Sequence, residues 1–442
     1  MNAIARYFDF DALDTNWRKE TVAGLTTFLS MAYILFVNPA VLSLASVPEA
    51  AGLGMPRDAV FTATAVAAAF GSLVMGLLAR YPIAQAPGMG LNAFFAFSVV
   101  LGMGIEWQTA LAGTFVSGLI FMALTVSRLR ERVIDAIPDE LKHAVAAGIG
   151  LFIAFIGLTN AGIIVNDDAL LVGLAPLTDP QTLLAIFGLL ATVILMTLRL
   201  TSAIFLGMAL TAVVGMLTGL IDLPDHIVSP VPDISPVAGA AISRLPDLFT
   251  PQMAVVIGTM LFVDFFDSAG TLMGVARQAG LIVDNKLPRA GRALFADALA
   301  TSASGLIGTS STTAYIESAS GVAAGGRSGF TAVVVGVLFL LALFFSPLLA
   351  VVTQAVTAPA LIVVGVLMAA SLRHIAWDRF ETAVPAFLTV LLMPLTYSIA
   401  TGIALGFIVY PITMAAARRH REIHPLMLAL AVIFLGYFVF LR

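Results

Sequence analysis

Four carboxylates stand out because of where they fall. Asp264, Asp267, Asp297 and Glu317 lie within apolar runs and have no Lys or Arg beside them. An ionisable group at bilayer depth is costly, so it marks a functional site by default. Without a basic neighbour it must be protonated, hydrogen-bonded or matched by a bound cation. Those are the requirements of a carrier coupled to protons or sodium. Asp264, Asp267, Thr271 and Gly274 follow one another at helical spacing and share one small, polar helix face. Glu317 stands at the expected start of a short helix, where the dipole and free N–H groups favour its ionised form. A carboxylate accepts two roughly parallel N–H bonds, which suits a planar ligand with adjacent ring and exocyclic donors.

Asp267 and Glu317 are the primary candidates for both substrate binding and proton coupling, and Thr271 shares the face of Asp267. Asp264 is open to two roles, coupling or pairing with a neighbouring span. Asp297 is equally open to coupling or to supporting the Ser/Thr-rich backbone that follows it. Asn92, after a glycine-rich break, either faces a ligand or caps a half-helix.

The elements that must hold these residues follow from composition. The chain is 60% hydrophobic and 11% charged, with a mean hydropathy of +1.02. Soluble domains carry roughly 25% charged residues, and this apolar excess exceeds what a soluble core can hide. A soluble enzyme, a disordered chain and a disulfide scaffold are excluded, which leaves an all-α polytopic membrane protein. Zero cysteines exclude thiolate metal sites, iron–sulfur clusters and cysteine nucleophiles. The histidines, His143, His226, His374, His420 and His424, fall in loops or at span ends, so no metal or cofactor is expected. No Walker-type lysine follows a glycine loop, which argues against a pump driven by ATP. A net charge of −4 gives no reason to expect nucleic acid as a partner.

Apolar runs long enough to cross a bilayer fall at about 21–45, 58–79, 84–104, 107–127, 139–160, 181–198 and 201–222. After a proline-rich stretch they resume at about 251–275, 289–308, 310–325, 328–353, 357–372, 381–398 and 400–417, and a last run covers 425–441. The count is seven, a break, seven more and an extra; whether the extra run crosses or lies along the membrane is open. No cleavable signal peptide is expected, because residues 1–20 are polar. With an N-terminus in the cytoplasm, all of the 22 Lys and Arg residues except Arg57, Arg244 and the terminal Arg442 fall on the cytoplasmic side. That set includes Arg128, Arg130, Arg132 and Lys286.

Spans three and ten are unusual. The third opens Ala84-Gln85-Ala86-Pro87-Gly88 and the tenth Gly308-Thr309-Ser310-Ser311-Thr312-Thr313, both poor helix formers, before short apolar helices begin. Interrupted spans at matching positions of two halves point to a transporter site built on an inverted repeat. An odd number of spans per half inverts the second half automatically.

Four segments carry a family resemblance: Glu20 to Ile34, Ala86 to Ala93, Phe265 to Leu272 and Thr312 to Gly321. In that order they resemble the AzgA-like purine permeases of the nucleobase–cation symporter (nucleobase–ascorbate transporter) family, which also holds uracil and xanthine carriers. The resemblance implies a uracil-transporter-like fold of 14 transmembrane segments in two inverted repeats of seven, with broken third and tenth spans. It implies a core domain from spans 1–4 (21–127) and 8–11 (251–353), and a gate domain from spans 5–7 (128–222) and 12–14 (354–417). A cytoplasmic N-terminus (1–20), an external loop (223–250) and a C-terminal extension (418–442) complete the layout.

The family's span-eight substrate carboxylate falls on Asp267, its acidic or amide residue of span ten on Glu317, and an acidic residue of span nine on Asp297. Backbone groups near Asn92, Ala93 and Phe94, and near Ala314 and Ile316, would assist. Relatives often carry an amide or histidine where this chain has other residues, so uracil-type contacts do not transfer wholesale.

The implied activity is secondary active, proton-coupled (or sodium-coupled) uptake of purine nucleobases, hypoxanthine and guanine or adenine, across the cell membrane. The competing reading is an anion carrier, for sulfate or bicarbonate, on the same architecture. A membrane-embedded enzyme is disfavoured by the lack of intramembrane His, Cys or a nucleophile–base pair. The lipid bilayer is the other expected partner, and a homodimer through the gate domains is left open.

Overall fold

The protein is described from a computed structural model, which covers residues 3–45, 47, 50, 52–127, 137–167, 171–282 and 287–440. Arg128, Arg130, Arg132, Lys286 and Arg442 lie outside the described residues.

Helices α1 (Trp17–Met31), α2 (Ile34–Leu42) and α3 (Arg57–Val74) are followed by strand β1 (Gln85–Pro87) and the half-helix α4 (Met89–Ala93), which continues as a wider π-type coil to Gly102. Then come α5 (Trp107–Val126), α6 (Asp139–Asn160), a hairpin of β2 (Ile164–Asp167) and β3 (Leu171–Leu174), α7 (Pro180–Thr197) and α8 (Ala203–Leu217). The second half holds α9 (Pro251–Gln278), α10 (Ala290–Ile307), β4 (Thr312–Ala314), α11 (Ser318–Ala323), α12 (Gly329–Ala342), α13 (Gln354–Ala369), α14 (Phe380–Leu395) and α15 (Ile399–Ala416). The last element is α16 (Pro425–Phe440). Among the described residues nine helical segments are long and apolar enough to cross a membrane, and Met89–Gly102, Ala203–Leu217, Phe380–Leu395 and Pro425–Gly436 are shorter apolar helices. The protein is a multi-pass membrane protein.

Helix starts follow local chemistry. Asn16 accepts from the Lys19 N–H at 3.0 Å, Thr250 from Met253 at 3.2 Å, and Asp179 from Gln181 and Thr182 at 3.0 and 3.1 Å. Pro180 and Pro251 occupy first-turn positions, where no N–H is needed.

Three features depart from the simplest reading of the apolar runs. The first run is two helices, interrupted at Ala32 and Tyr33. It also starts at Trp17, so Glu20 belongs to α1 and is fully buried. Glu20 accepts from the N–H groups of Arg327 and Ser328 at 3.0 and 3.2 Å, and from the hydroxyls of Thr15 and Thr331 at 2.7 and 2.5 Å. This acid closes the loop between α11 and α12, which accounts for its burial without a cation. The third feature is the β2–β3 hairpin, whose short alternating segments are invisible to a search for membrane-length runs.

The helices pack mainly within two groups. One holds α1–α5 with α9–α12, and the other holds α6–α8 with α13–α15. In the second group α6 crosses α13 at Gly150 and Gly365. A Cβ on Gly365 would lie 2.5 Å from the Gly150 carbonyl oxygen, so only glycine allows this backbone approach. Helix α16 packs on α15 and also touches α9, which links the two groups.

Candidate functional site

The two interrupted spans meet through their extended segments. β1 and β4 pair antiparallel, with Gln85 opposite Ala314, Ala86 opposite Thr313 and Pro87 opposite Thr312. Flanking bonds extend the pairing: Gly88 N–H to the Ser311 carbonyl at 2.9 Å, Tyr315 N–H to the Ala84 carbonyl at 3.0 Å, and the Tyr315 hydroxyl to the Pro87 carbonyl at 2.6 Å. The Pro, Gly and Ser/Thr residues that weaken helix here also satisfy one another's backbone groups. Non-helical backbone at membrane depth is tolerated only when buried in this way. Ser310 donates to Asn92 Oδ1, tying the approach to β4 to the half-helix after β1.

Asp267 and Glu317 line one cavity of about 1270 Å3, together with Thr271 and Ile316. Glu317 immediately precedes α11, as its position in the sequence implies. Its Oε1 accepts the hydroxyl of Tyr33 at 2.7 Å. Tyr33 sits at the interruption between α1 and α2, so a break in span one supplies the donor to the carboxylate of span ten. Asp267 is exposed to the cavity on α9, next to Phe266. Across the space stand Gly90, and Ile149 and Val145 of α6. A Cβ on Gly90 would come within 2.7 Å of Ile149 Cγ2, so glycine permits the half-helix to approach α6.

The other candidates lie behind this wall. Ala93, Phe94 and Ala314 are buried, and the Asn92 side chain is engaged with Ser310 and Met89. Asp264 and Asp297 are fully buried. Asp297 Oδ1 accepts from Gln85 Nε2 at 2.8 Å, and Asp264 Oδ2 accepts from the Thr301 hydroxyl at 2.7 Å. The Thr301 hydroxyl also lies 2.8 Å from the Thr312 carbonyl. The two acids therefore brace the strand pair from α9 and α10, while Asp267 and Glu317 face open space.

Sequence reasoning missed Tyr33 and Gln85. Each stands in a motif already noted, but neither type announces a role without its distant partner. The same cavity is also lined by basic residues at or just beyond helix ends: Lys142 and His143 near the start of α6, Arg277 in the last turn of α9, Arg199 after α7, and Arg373 and His374 after α13. Two histidines assigned to span ends thus face each other, with ring centroids 5.0 Å apart. Among the described residues no cluster of His, Asp or Glu is arranged to hold a metal ion.

The sequence matches the Permease family over residues 18–405. The chain belongs to that family. The permease is 61% identical over 439 residues to the guanine/hypoxanthine permease PbuG of Bacillus subtilis, covering 99% of both chains. It is 44% identical over 432 residues to the adenine permease AdeQ of Escherichia coli, covering 98% of this chain and 95% of that one. These full-length matches bear out the AzgA-like resemblance, and the permease is a transporter rather than an enzyme. Among solved structures, the transmembrane domain of the cyanobacterial bicarbonate transporter BicA aligns with a TM-score of 0.62 at 16% identity, over 91% of this chain and 97% of that one. That likeness establishes the uracil-transporter-like fold.

Proposed function

We propose that this permease imports purine nucleobases, hypoxanthine and guanine or adenine, across the cell membrane. The observation that carries the site assignment is that Asp267 and Glu317 line the same cavity, with Glu317 held by the Tyr33 hydroxyl. Two carboxylates in one cavity that Phe266 and Ile316 also line suit a flat heterocycle with N–H donors along its edge. The full-length likeness to PbuG and AdeQ supports the same substrate class.

The remaining assignments follow from this reading. Asp267 and Glu317 bind the base, and Thr271 and Ile316 line the cavity beside it. Asn92, Ala93, Phe94 and Ala314 hold the backbone behind it. Protons are the coupling ion, with Asp267 and Glu317 exchanging them at the cavity and Asp264 and Asp297 forming the buried reserve. The group α1–α5 with α9–α12 is the core domain, and α6–α8 with α13–α15 is the gate that it moves against. Fourteen spans with a cytoplasmic N-terminus agree with the distribution of Lys and Arg. A homodimer would form through the gate.

Uptake of labelled hypoxanthine in a strain lacking purine permeases tests the assignment, with adenine, guanine, xanthine and uracil as competitors and a protonophore as control. Purines should compete, uracil should not, and the protonophore should abolish accumulation. Normal uptake by Asp267→Ala would overturn the site. Uptake of sulfate or bicarbonate instead would favour the anion reading, for which the BicA likeness supplies the fold alone.

A further inference from the structure

The cavity is larger and more polarised than a nucleobase requires. At about 1270 Å3 it exceeds the roughly 300–1,000 Å3 of ordinary small-molecule sites. Among the described residues its acidic lining is confined to Asp267 and Glu317. Its basic lining, Lys142, Arg199, Arg277 and Arg373 with two histidines, lies at or just beyond helix ends. Lys142 is paired with Asp139 at 2.8 Å and lies 5.6 Å from the centre of the Phe266 ring. Arg199, Arg277 and Arg373 form no ion pair with a described residue, and all three are exposed. The Arg373 Nε–H donates to His374 Nε2 at 3.0 Å, so this ring nitrogen is an acceptor.

Helix α9 gives the scale. Asp267 and Arg277 are ten residues apart on one helix, which is about 15 Å of rise. That separation is too long for a bare purine to bridge. It suits a base joined through a sugar to a phosphate group that the arginine side chains reach back to meet.

We propose that this basic end is the cytoplasmic mouth of the cavity and an anion site, and that the whole cavity takes a purine nucleoside phosphate as an inhibitor. This rests on the assignment of Asp267 and Glu317 to the base. The base enters the carboxylate end while the phosphate stays among Arg199, Arg277 and Arg373. Guanidinium groups suit phosphate through paired N–H donors. The nucleotide is not carried, because taking a phosphate dianion into the low-dielectric midplane beside two carboxylates is prohibitively costly. It therefore holds the permease with this mouth open and slows transport, since a ligand shifts a carrier towards the state that it binds.

The test is displacement of labelled hypoxanthine from the purified permease by IMP, GMP and AMP, against inosine, guanosine, UMP and inorganic phosphate. Thermal melting with each nucleotide is measured in parallel. A purine nucleotide should displace the base at lower concentration than its nucleoside. Arg277→Gln and Arg373→Gln should raise the nucleotide concentration required by about tenfold or more, the loss of a charged hydrogen bond, with affinity for the base unchanged.

Equal potency of nucleotide and nucleoside, or of UMP and IMP, overturns the proposal, as does indifference to both substitutions. Failure of hypoxanthine itself to bind indicts the substrate assignment instead. In that case, nucleotide-dependent stabilisation lost in Arg277→Gln still supports the anion site, and its absence rejects it.

Discussion

The Tyr33 hydroxyl donates to Glu317 Oε1 at 2.7 Å across 284 positions of sequence. This bond joins the interruption of the first span to the half-helix of the tenth, so the cavity carboxylate is oriented by a helix break rather than by a helix face. A buried hydrogen bond to a charged group contributes about 1.5–3 kcal/mol. Tyr33→Phe keeps the ring and removes only the donor. Uptake measured over a range of hypoxanthine concentrations should show an affinity loss of about tenfold or more, with membrane expression unchanged. A wild-type KM in this variant would show that the bond has no part in binding.

The positions of the acids separate binding from bracing. Asp267 faces the cavity, whereas Asp264 is buried against Thr301. Asp267→Asn should abolish equilibrium binding of purines by the purified protein. Asp264→Asn should retain that binding and instead lower thermal stability or uptake. Equal loss of binding in both variants would contradict the division.

Gln85 holds the first extended segment to α10 through its 2.8 Å bond to Asp297. Gln85→Met preserves chain length and withdraws the amide donor. The expected cost is about 1–3 kcal/mol, the penalty for removing one partner of a buried polar pair. A lowered melting temperature in detergent would register it, and an unchanged one would mean that the acid is held adequately without Gln85.

Glu20 makes a similar clasp at the other end of the core. Its carboxylate satisfies the N–H groups of Arg327 and Ser328 and the hydroxyls of Thr15 and Thr331. Glu20→Ala leaves several buried donors unpaired and should destabilise the protein by about 2 kcal/mol or more. Proteolysis between α11 and α12 would then become faster than in the wild type. An unaltered cleavage rate would argue that the loop is held by packing alone.

The crossing of α6 and α13 at Gly150 and Gly365 has no room for a side chain. Gly365→Val should lower stability by about 1–3 kcal/mol or force the helices apart. The control for comparison is Gly258→Ala, whose added Cβ meets nothing within 4 Å. Similar melting temperatures for the two would refute the tight crossing.

The sequence by itself determined the class of protein, most helix positions, the two interrupted spans and the identity of the exceptional acids. These are local properties: hydropathy sums over a window, helix formers and breakers act on neighbouring residues, and a charge in an apolar run is visible wherever the chain goes. Tertiary structure alone decided which acids face the cavity and which brace its wall. Asp264 and Asp267 share a helical face by spacing, yet one contacts Thr301 and the other opens to the cavity. The partners of the acids were equally hidden, because Tyr33, Gln85 and Arg327 lie 284, 212 and 307 positions from Glu317, Asp297 and Glu20. No periodicity records such distances; helix packing sets them, and it gives the same residue type, a carboxylate in an apolar span, two different environments.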